Sequence, residues 1–200
     1  KNRLSNIDSL SLRKSLTSLI IMTKAKPFIK WVGGKSQLIE QLDAQLPADF
    51  GNWENVTYIE SFVGGGAMLF YMLQRYPNIQ HAIINDINPD LATCYRTVRD
   101  TPEQLIESLM DIENAYLNLA TEDERKDFFM AARERYNEKN LDPIENTTMF
   151  FFLNRTCFNG LYRVNKKGLF NVPFGKYANP TICDPDTIRK DSELLQRVEI

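Results

Sequence analysis

The stretch VTYIESFVGGGAMLFYMLQRY, residues 56–76, constrains the fold of this chain more than any other. Residues 56–63 are rich in β-branched and aromatic side chains, which favour a strand. Gly64, Gly65 and Gly66 follow, and the apolar run after them has the length of a helix. α/β proteins approach nucleotides with a strand, a glycine turn and a helix, because glycines adopt positive φ angles and let a ligand contact the backbone.

A second buried strand is predicted about twenty residues later. The segment HAIINDIN, residues 81–88, places Asp86 at the end of that strand, where a carboxylate can accept hydrogen bonds from ribose hydroxyls. The dinucleotide fingerprint also requires a third glycine, but Leu69 occupies its position. A dinucleotide-dependent oxidoreductase is therefore disfavoured, and S-adenosylmethionine, an adenosyl ligand without phosphates, suits the turn better.

The segment FIKWVGGKSQL, residues 28–38, ends like a phosphate-binding loop. That loop requires another glycine five positions before Gly34, where this chain has Ile29. A nucleoside triphosphatase is disfavoured, so the tryptophan, glycines and lysines of this segment need another explanation.

The composition excludes several classes of protein. A content of 43% hydrophobic and 25% charged residues is typical of a soluble globular chain. No segment approaches the roughly 18 apolar residues of a membrane helix, so no membrane partner is expected. The three cysteines are widely spaced and odd in number, which argues against disulfides and metal clusters and indicates a reducing cytoplasm. With His81 as the single histidine, a Ser–His or Cys–His catalytic pair is not expected.

The segment NRTCFNGLYRVNKKGLFNVPFGKY, residues 154–177, differs from the rest of this slightly acidic chain. It lies in a run without acidic residues that carries a local charge of +5. Asn159-Gly160 and Lys167-Gly168 are turn signals, and the residues between and after them alternate as hairpin strands do. Aromatic residues alternate with cations, which favours a nucleic-acid partner. The alternative is a basic hairpin that packs its aromatic rings into the core.

Four segments together resemble the Dam-type (D12 class) DNA adenine-N6 methyltransferases: PFIKWVGGKSQL, YIESFVGGGAMLFYML, INDINPDL and residues 154–177. The resemblance covers residues 26–200. It implies an α/β, Rossmann-like domain that uses S-adenosylmethionine and carries an inserted helical and β-hairpin domain that recognises DNA. It also implies methylation of adenine N6 in double-stranded DNA, with GATC as the expected site. The runner-up is a nucleic-acid-binding module without catalysis.

The resemblance also implies roles for individual residues. The residues expected to bind S-adenosylmethionine are Trp31, Lys35, Gly64, Gly65, Gly66 and Asp86. The residues expected to contact DNA are Lys30, Phe158, Asn159, Leu161, Arg163, Lys166, Lys167 and Lys176. Of these, Arg163 can read guanine through two hydrogen bonds. No metal is implied.

Two further expectations concern the organisation of the chain. Residues 1–21 read as a leader outside the domain, residues 22–98 as the first part of the methyltransferase domain, residues 99–183 as the recognition domain and residues 184–200 as the return. The family's Asp-Pro-Pro-Tyr tetrapeptide is absent, because CDPDTIRK reads as a helix cap at Asp184 followed by Pro185. The catalytic residues are therefore expected beyond Ile200, and the chain alone is expected to be inactive.

Overall fold

The computed structural model describes residues 24–200, and the expected leader lies outside them. Its sheet has three parallel strands, β1 (Val56–Glu60), β2 (Ile79–Ile84) and β3 (Val198–Glu199), with β2 in the centre. The sequence extends β1 to residue 63 and β2 to residue 86, and both strands end earlier. The segments that follow the two strands nevertheless stay hydrogen-bonded to each other, because the Val63 amide donates to the Asn85 carbonyl at 3.0 Å.

The described residues form seven α-helices, of which α4, α5 and α6 are the longest. Their bounds are α1 (Ile39–Asp43), α2 (Ala67–Arg75), α3 (Pro89–Asp100), α4 (Pro102–Leu117), α5 (Glu122–Asn137), α6 (Pro143–Thr156) and α7 (Pro185–Leu195). Proline opens four of them, as expected of a residue with a fixed helical φ and no amide hydrogen. Asp184 caps α7 by accepting from the Thr187 amide at 3.1 Å, which confirms the predicted cap.

Helix α6 lies at the centre of the helical layer and packs against α3, α4 and α5. Its Phe150, Phe151 and Phe152 are all buried. One hydrophobic core continues from these rings to the sheet and α7. The expected domain boundary between residues 98 and 99 falls inside α3, whereas the boundary between 183 and 184 coincides with the start of α7. The division into two domains stays a prediction.

The chain enters the described region through an extended segment, residues 25–31, here called the strap. Its backbone is held by polar side chains of α2, α6 and α7 rather than by a strand. The bonds join Gln74 to the Ala25 carbonyl (2.9 Å), Asp191 to the Lys26 amide (3.0 Å), Arg155 to the Phe28 carbonyl (2.7 Å) and Asn154 to both backbone groups of Lys30 (2.8 Å each). The strap is thereby fixed across the helical layer and leads directly to the glycine-containing loop 31–36.

Over residues 24–200, no helix combines the length and the apolar character needed to cross a membrane.

Candidate functional site

A cavity of about 570 Å³ opens where β1 and β2 end. Its walls come from the strap and the loop after it, the glycine turn that follows β1, and the residues that follow β2. In parallel sheets ligands bind at this carboxyl edge of the strands. Five of the six residues expected to bind cofactor line the cavity: Trp31, Lys35, Gly64, Gly65 and Asp86. Lys30, expected at the DNA, also lines it.

Gly66, the sixth expected residue, belongs to the core instead of the cavity wall. Its φ is +81°, and a Cβ atom there would lie 2.5 Å from the Tyr95 hydroxyl and 3.0 Å from the Phe70 ring. Gly66 is thus needed for the close approach of the turn to α3. Its expected role in binding stays a prediction.

Trp31 covers the glycine turn. A Cβ atom at Gly64 would lie 2.9 Å from its indole Cδ1, so only glycine allows this contact. The other neighbours of the indole are Phe150, at 6.2 Å between ring centroids, and Tyr162, at 5.3 Å. Trp31 therefore stands between the cavity and the segment that contains the hairpin.

Lys35 joins the opening loop to the end of β1. Its amine donates to Glu60 Oε1 at 2.7 Å and to the Phe62 carbonyl at 2.9 Å. The second oxygen of this buried carboxylate accepts from the Tyr58 hydroxyl at 2.9 Å. Burial, and then the negative charge of Glu60, raise the pKa of Tyr58 well above its ordinary value, so the phenol stays a donor.

Glu60 and Tyr58 were not among the residues expected at the site. The signal for Glu60 was an acidic residue at the end of an otherwise uncharged strand, shortly before a glycine turn. Tyr58 lies two residues earlier and therefore on the same face of β1, where it can reach the same carboxylate.

Asp86 shapes the turn as well as facing the cavity. Its Oδ2 accepts from the Gly64 amide at 3.0 Å, and its Oδ1 accepts from the Asn88 amide at 3.0 Å. Each carboxylate oxygen can accept a second hydrogen bond, so Asp86 retains capacity for a ligand hydroxyl. The neighbouring Ile87 side chain is 90% exposed and Phe62, on the cavity wall, is 75% exposed. Phe62 offers apolar surface within the cavity, and Ile87 offers it next to Asp86 in the chain.

The segment expected to contact DNA begins with a tight turn, Phe158–Gly160. Asn159 and Gly160 both have positive φ, at 54° and 63°, which agrees with the predicted turn. Phe158 is half exposed, Asn159 is exposed and Leu161 is partly buried. A second turn closes at Gly168, whose amide donates to the Asn165 carbonyl at 2.9 Å. Lys166 and Lys167 lie exposed at its tip.

The prediction of hairpin strands between and after these turns is wrong in part. Only isolated antiparallel bridges form, between Val164 and Phe170 and between Cys157 and Phe174. At the first bridge the Asn165 amide donates to the Leu169 carbonyl (2.9 Å) and the Asn171 amide donates to the Arg163 carbonyl (3.1 Å). The amide and carbonyl of Phe170 point away from Val164 and bond Asn137 of α5 (2.8 and 3.0 Å), so α5 holds the outer edge of this segment.

The aromatic residues of this segment divide into two groups. Phe170 is buried and packs 6.1 Å from Tyr136, and Phe174 packs 5.4 Å from Phe129. For these two rings the alternative interpretation, packing into the core, is correct. Phe158 instead faces outward, so it is the ring available to a partner.

The cations of the segment also differ in their surroundings. Arg155 turns inward to the strap, where burial lowers its pKa. Lys176 pairs with Glu122 at 2.7 Å, and hydrogen bonding to that carboxylate raises the pKa of the lysine. Arg163 is exposed and donates through Nε and Nη2 to the side chain (2.8 Å) and backbone (3.1 Å) of Asn171. These bonds orient the guanidinium but occupy two of its donors.

Comparison with known proteins places this arrangement in a family. The sequence profile of the D12 class N6 adenine-specific DNA methyltransferases matches residues 31–200. The chain belongs to this family. The match confirms the resemblance noted in the sequence and covers most of the cavity lining and the whole basic segment.

Several curated proteins are similar to this chain. The type II methyltransferase M.MjaIII of Methanocaldococcus jannaschii is 45% identical over 179 residues, which cover 88% of this chain and 61% of the relative. M1.LlaDCHI of Lactococcus lactis is 36% identical, with 88% and 56% covered. The DNA adenine methylase of Escherichia coli is 32% identical, with 80% and 51% covered. The chain thus spans between half and two thirds of the length of these relatives.

Within residues 24–200, no cluster of three or more His, Cys, Asp and Glu side chains is arranged to hold a metal ion. The cysteines Cys94, Cys157 and Cys183 are buried thiols, and burial is the main cause that raises the pKa of each.

Proposed function

We propose that the complete protein transfers a methyl group from S-adenosylmethionine to adenine N6 in double-stranded DNA, at GATC. The observation that carries this proposal is the cavity, which joins three segments that are far apart in sequence. Membership of the D12 class supplies the reaction, and the relatives named DNA adenine methylase suggest the site. No residue between 24 and 200 is assigned to the transfer step itself.

The cavity fits S-adenosylmethionine in size and in chemistry. Sites for small ligands occupy roughly 300–1,000 Å³ and combine apolar walls with a few polar groups. Asp86 would accept hydrogen bonds from the ribose, Phe62 and Ile87 would cover apolar parts of the ligand, and the backbone at Gly64 and Gly65 would pass close to it. When bound, the cofactor supplies an electrophilic methyl group on sulfur. Lys35 would act indirectly, by holding the loop against Glu60.

Calorimetric titration of the complete protein with S-adenosylmethionine tests the cofactor site. Asp86→Ala is expected to weaken binding by about ten- to hundredfold, since a hydrogen bond to a charged group is worth about 1.5–3 kcal/mol. Asp86→Asn keeps an acceptor for the Gly64 amide but loses the charge, so it separates binding from the shape of the turn. Glu54→Gln, in the exposed loop before β1, is the matched control. Unchanged affinity in folded Asp86 variants would remove Asp86 from the site.

The basic segment would hold and read the DNA. Lys166 and Lys167 at the exposed tip would contact phosphates, with Lys30 and Lys176 nearer the cavity and α5. The exposed turn with Phe158 and Asn159, followed by Leu161, would approach the base pairs. Arg163 would read guanine through Nη1 and Nη2, which requires Nη2 to turn from Asn171 toward the base.

Duplex binding at several salt concentrations tests the phosphate contacts. Lys166→Ala and Lys167→Ala are each expected to weaken binding to all sequences alike and to lower the slope of log affinity against log salt by about 0.9. A slope near zero for the wild type would count against electrostatic DNA binding here.

Methylation of single-base variants of GATC at one fixed salt tests reading by Arg163. Arg163→Ala is expected to cost about 1–3 kcal/mol on the cognate site and to relax preference at one base position. Equal losses on every variant would show that Arg163 holds the backbone. A non-catalytic module predicts duplex binding with neither cofactor binding nor methylation, so the two titrations together also test that alternative.

A further inference from the structure

The cavity and the DNA segment meet at a stack of two rings. The planes of Trp31 and Tyr162 are inclined by 28°, with centroids 5.3 Å apart. Phe150 of α6 supports both rings, since its centroid lies 5.4 Å from that of Tyr162. Distances of about 4.5–7 Å are those at which aromatic pairs attract each other.

The positions of the two residues in the chain make this contact informative. Trp31 lines the cavity and covers Gly64, so a ligand in the cavity meets the indole directly. Tyr162 lies between Leu161 and Arg163, two of the residues assigned above to DNA. The stack on Trp31 therefore restrains the residue directly before Arg163.

A second connection holds the same two segments together through their backbones. The buried amide of Asn154 bonds the Lys30 amide and carbonyl, and its Nδ2 also donates to the Gly160 carbonyl at 3.0 Å. A Cβ atom at Gly160 would lie 2.5 Å from Lys30 Cδ, so the turn packs directly on the strap. The strap and the turn at Gly160 are thus held together by their backbones, and the stack of Trp31 on Tyr162 adds a side-chain contact between the same two segments.

We propose that Tyr162 is a positioning residue that couples cofactor binding to DNA binding through its stack on Trp31. The inference rests on the proposed function, because it links the two ligands named there. A ligand that fills the cavity confines the indole to its stacked position, which in turn holds residues 161–163 in the arrangement that meets DNA. Binding of either ligand then favours binding of the other, and by linkage the factor is the same in both directions.

The test measures this factor in the complete protein. S-adenosylhomocysteine serves as the cofactor probe because it carries no methyl group to transfer, and a short duplex with one GATC site serves as the DNA. The ratio of duplex dissociation constants without and with saturating S-adenosylhomocysteine, measured by fluorescence anisotropy, is the coupling factor. In the wild type it is expected to exceed one.

The variants isolate the stack. Tyr162→Leu is expected to lower the coupling factor about two- to twelvefold, the equivalent of the roughly 0.5–1.5 kcal/mol that an aromatic pair contributes. Tyr162→Phe keeps the ring and is expected to retain the coupling factor. If Tyr162 were merely structural, Tyr162→Leu would weaken the binding of both ligands and leave the coupling factor unchanged. Tyr71→Leu on α2 is the matched control for loss of a tyrosine.

An independent measurement uses Trp31 itself as the reporter. The chain has two tryptophans, so Trp31 becomes the sole tryptophan reporter when Trp53, and any tryptophan that the complete protein has outside this chain, is replaced by phenylalanine. Duplex binding is expected to change its emission when Tyr162 is present and not in Tyr162→Leu. Any one of three results would overturn the proposal. They are a coupling factor of one in the wild type, a coupling factor in Tyr162→Leu equal to that of the wild type, and Trp31 emission that does not change when duplex binds. Failure of the wild type to bind either ligand would overturn the proposed function as well.

Discussion

The strap that walls the cavity is anchored on a buried carboxylate, and this predicts a specific dependence of stability on pH. Asp191 of α7 is fully buried, and its Oδ1 accepts from the Lys26 amide at 3.0 Å. Its Oδ2 has no hydrogen-bond partner among the described residues. Burial, assisted by the negative charge of Asp184 and opposed by the Lys26 backbone and side chain, raises the pKa of Asp191 to about 8.

The sign follows from linkage. In the unfolded chain an aspartate ionises with a pKa of about 3.9, so between about pH 4 and pH 8 folding takes up a proton. The free energy of unfolding therefore falls as pH rises through this window, by up to about 1.4 kcal/mol for each pH unit. From pH 5 to pH 8 the loss from Asp191 approaches about 4 kcal/mol. The stabilisation that depends on protonated Asp191 is complete below about pH 4 and is lost above about pH 8.

Asp191→Asn tests this reasoning, because asparagine still accepts from the Lys26 amide but cannot ionise. Urea unfolding at several pH values should show the variant equal to wild type within about 1 kcal/mol at pH 5 and more stable at pH 8. The difference between variant and wild type cancels the contributions of groups that titrate in both. Asp186→Asn, a substitution of an exposed carboxylate on the same helix, should retain the wild-type dependence. A difference between Asp191→Asn and wild type that does not grow with pH would refute the argument.

Three further substitutions have expected outcomes. Gly66→Ala should destabilise by about 1–3 kcal/mol from the positive φ alone, with an added loss from the contact with Tyr95, as measured by urea unfolding. Asn154→Ala should cost about 2–4 kcal/mol in the same assay, because it leaves the backbone groups of the strap and the turn unpaired. Glu122→Ala should release Lys176 for phosphate, so the slope of log duplex affinity against log salt should steepen by up to about 0.9.

The sequence predicted those elements whose structure depends mainly on residues that are close together in the chain. The succession of β1, glycine turn and α2 follows from β-branched residues, glycines and a long apolar run, and all three elements are present. The strap could not be predicted in this way. Its anchors Asn154 and Asp191 lie 124 and 165 residues away from the groups they bind, and nothing in PFIKW marks which side chains will hold it.

The candidate site shows the same division. Asp86 was predictable because the end of a strand fixes where a side chain emerges. The burial of Phe170 was not predictable, because an alternation of aromatic and polar residues does not show which face of a hairpin another element covers. Here α5 covers one face through Phe129, Tyr136 and Asn137, and it draws Phe170 and Phe174 inward while leaving Phe158 outside.

Three contacts within the protein hold the glycine turn in its shape. Asp86 accepts from the Gly64 amide, Tyr95 donates to the Gly64 carbonyl at 2.9 Å, and the Trp31 indole covers the position where a Cβ atom would be. The three contacts come from the end of β2, from α3 and from the strap, so the turn can move only if one of these elements moves. A site that is organised in advance spends less binding free energy on ordering its own backbone. Trp31 also contacts Tyr162, so the indole joins the glycine turn to the segment that follows α6.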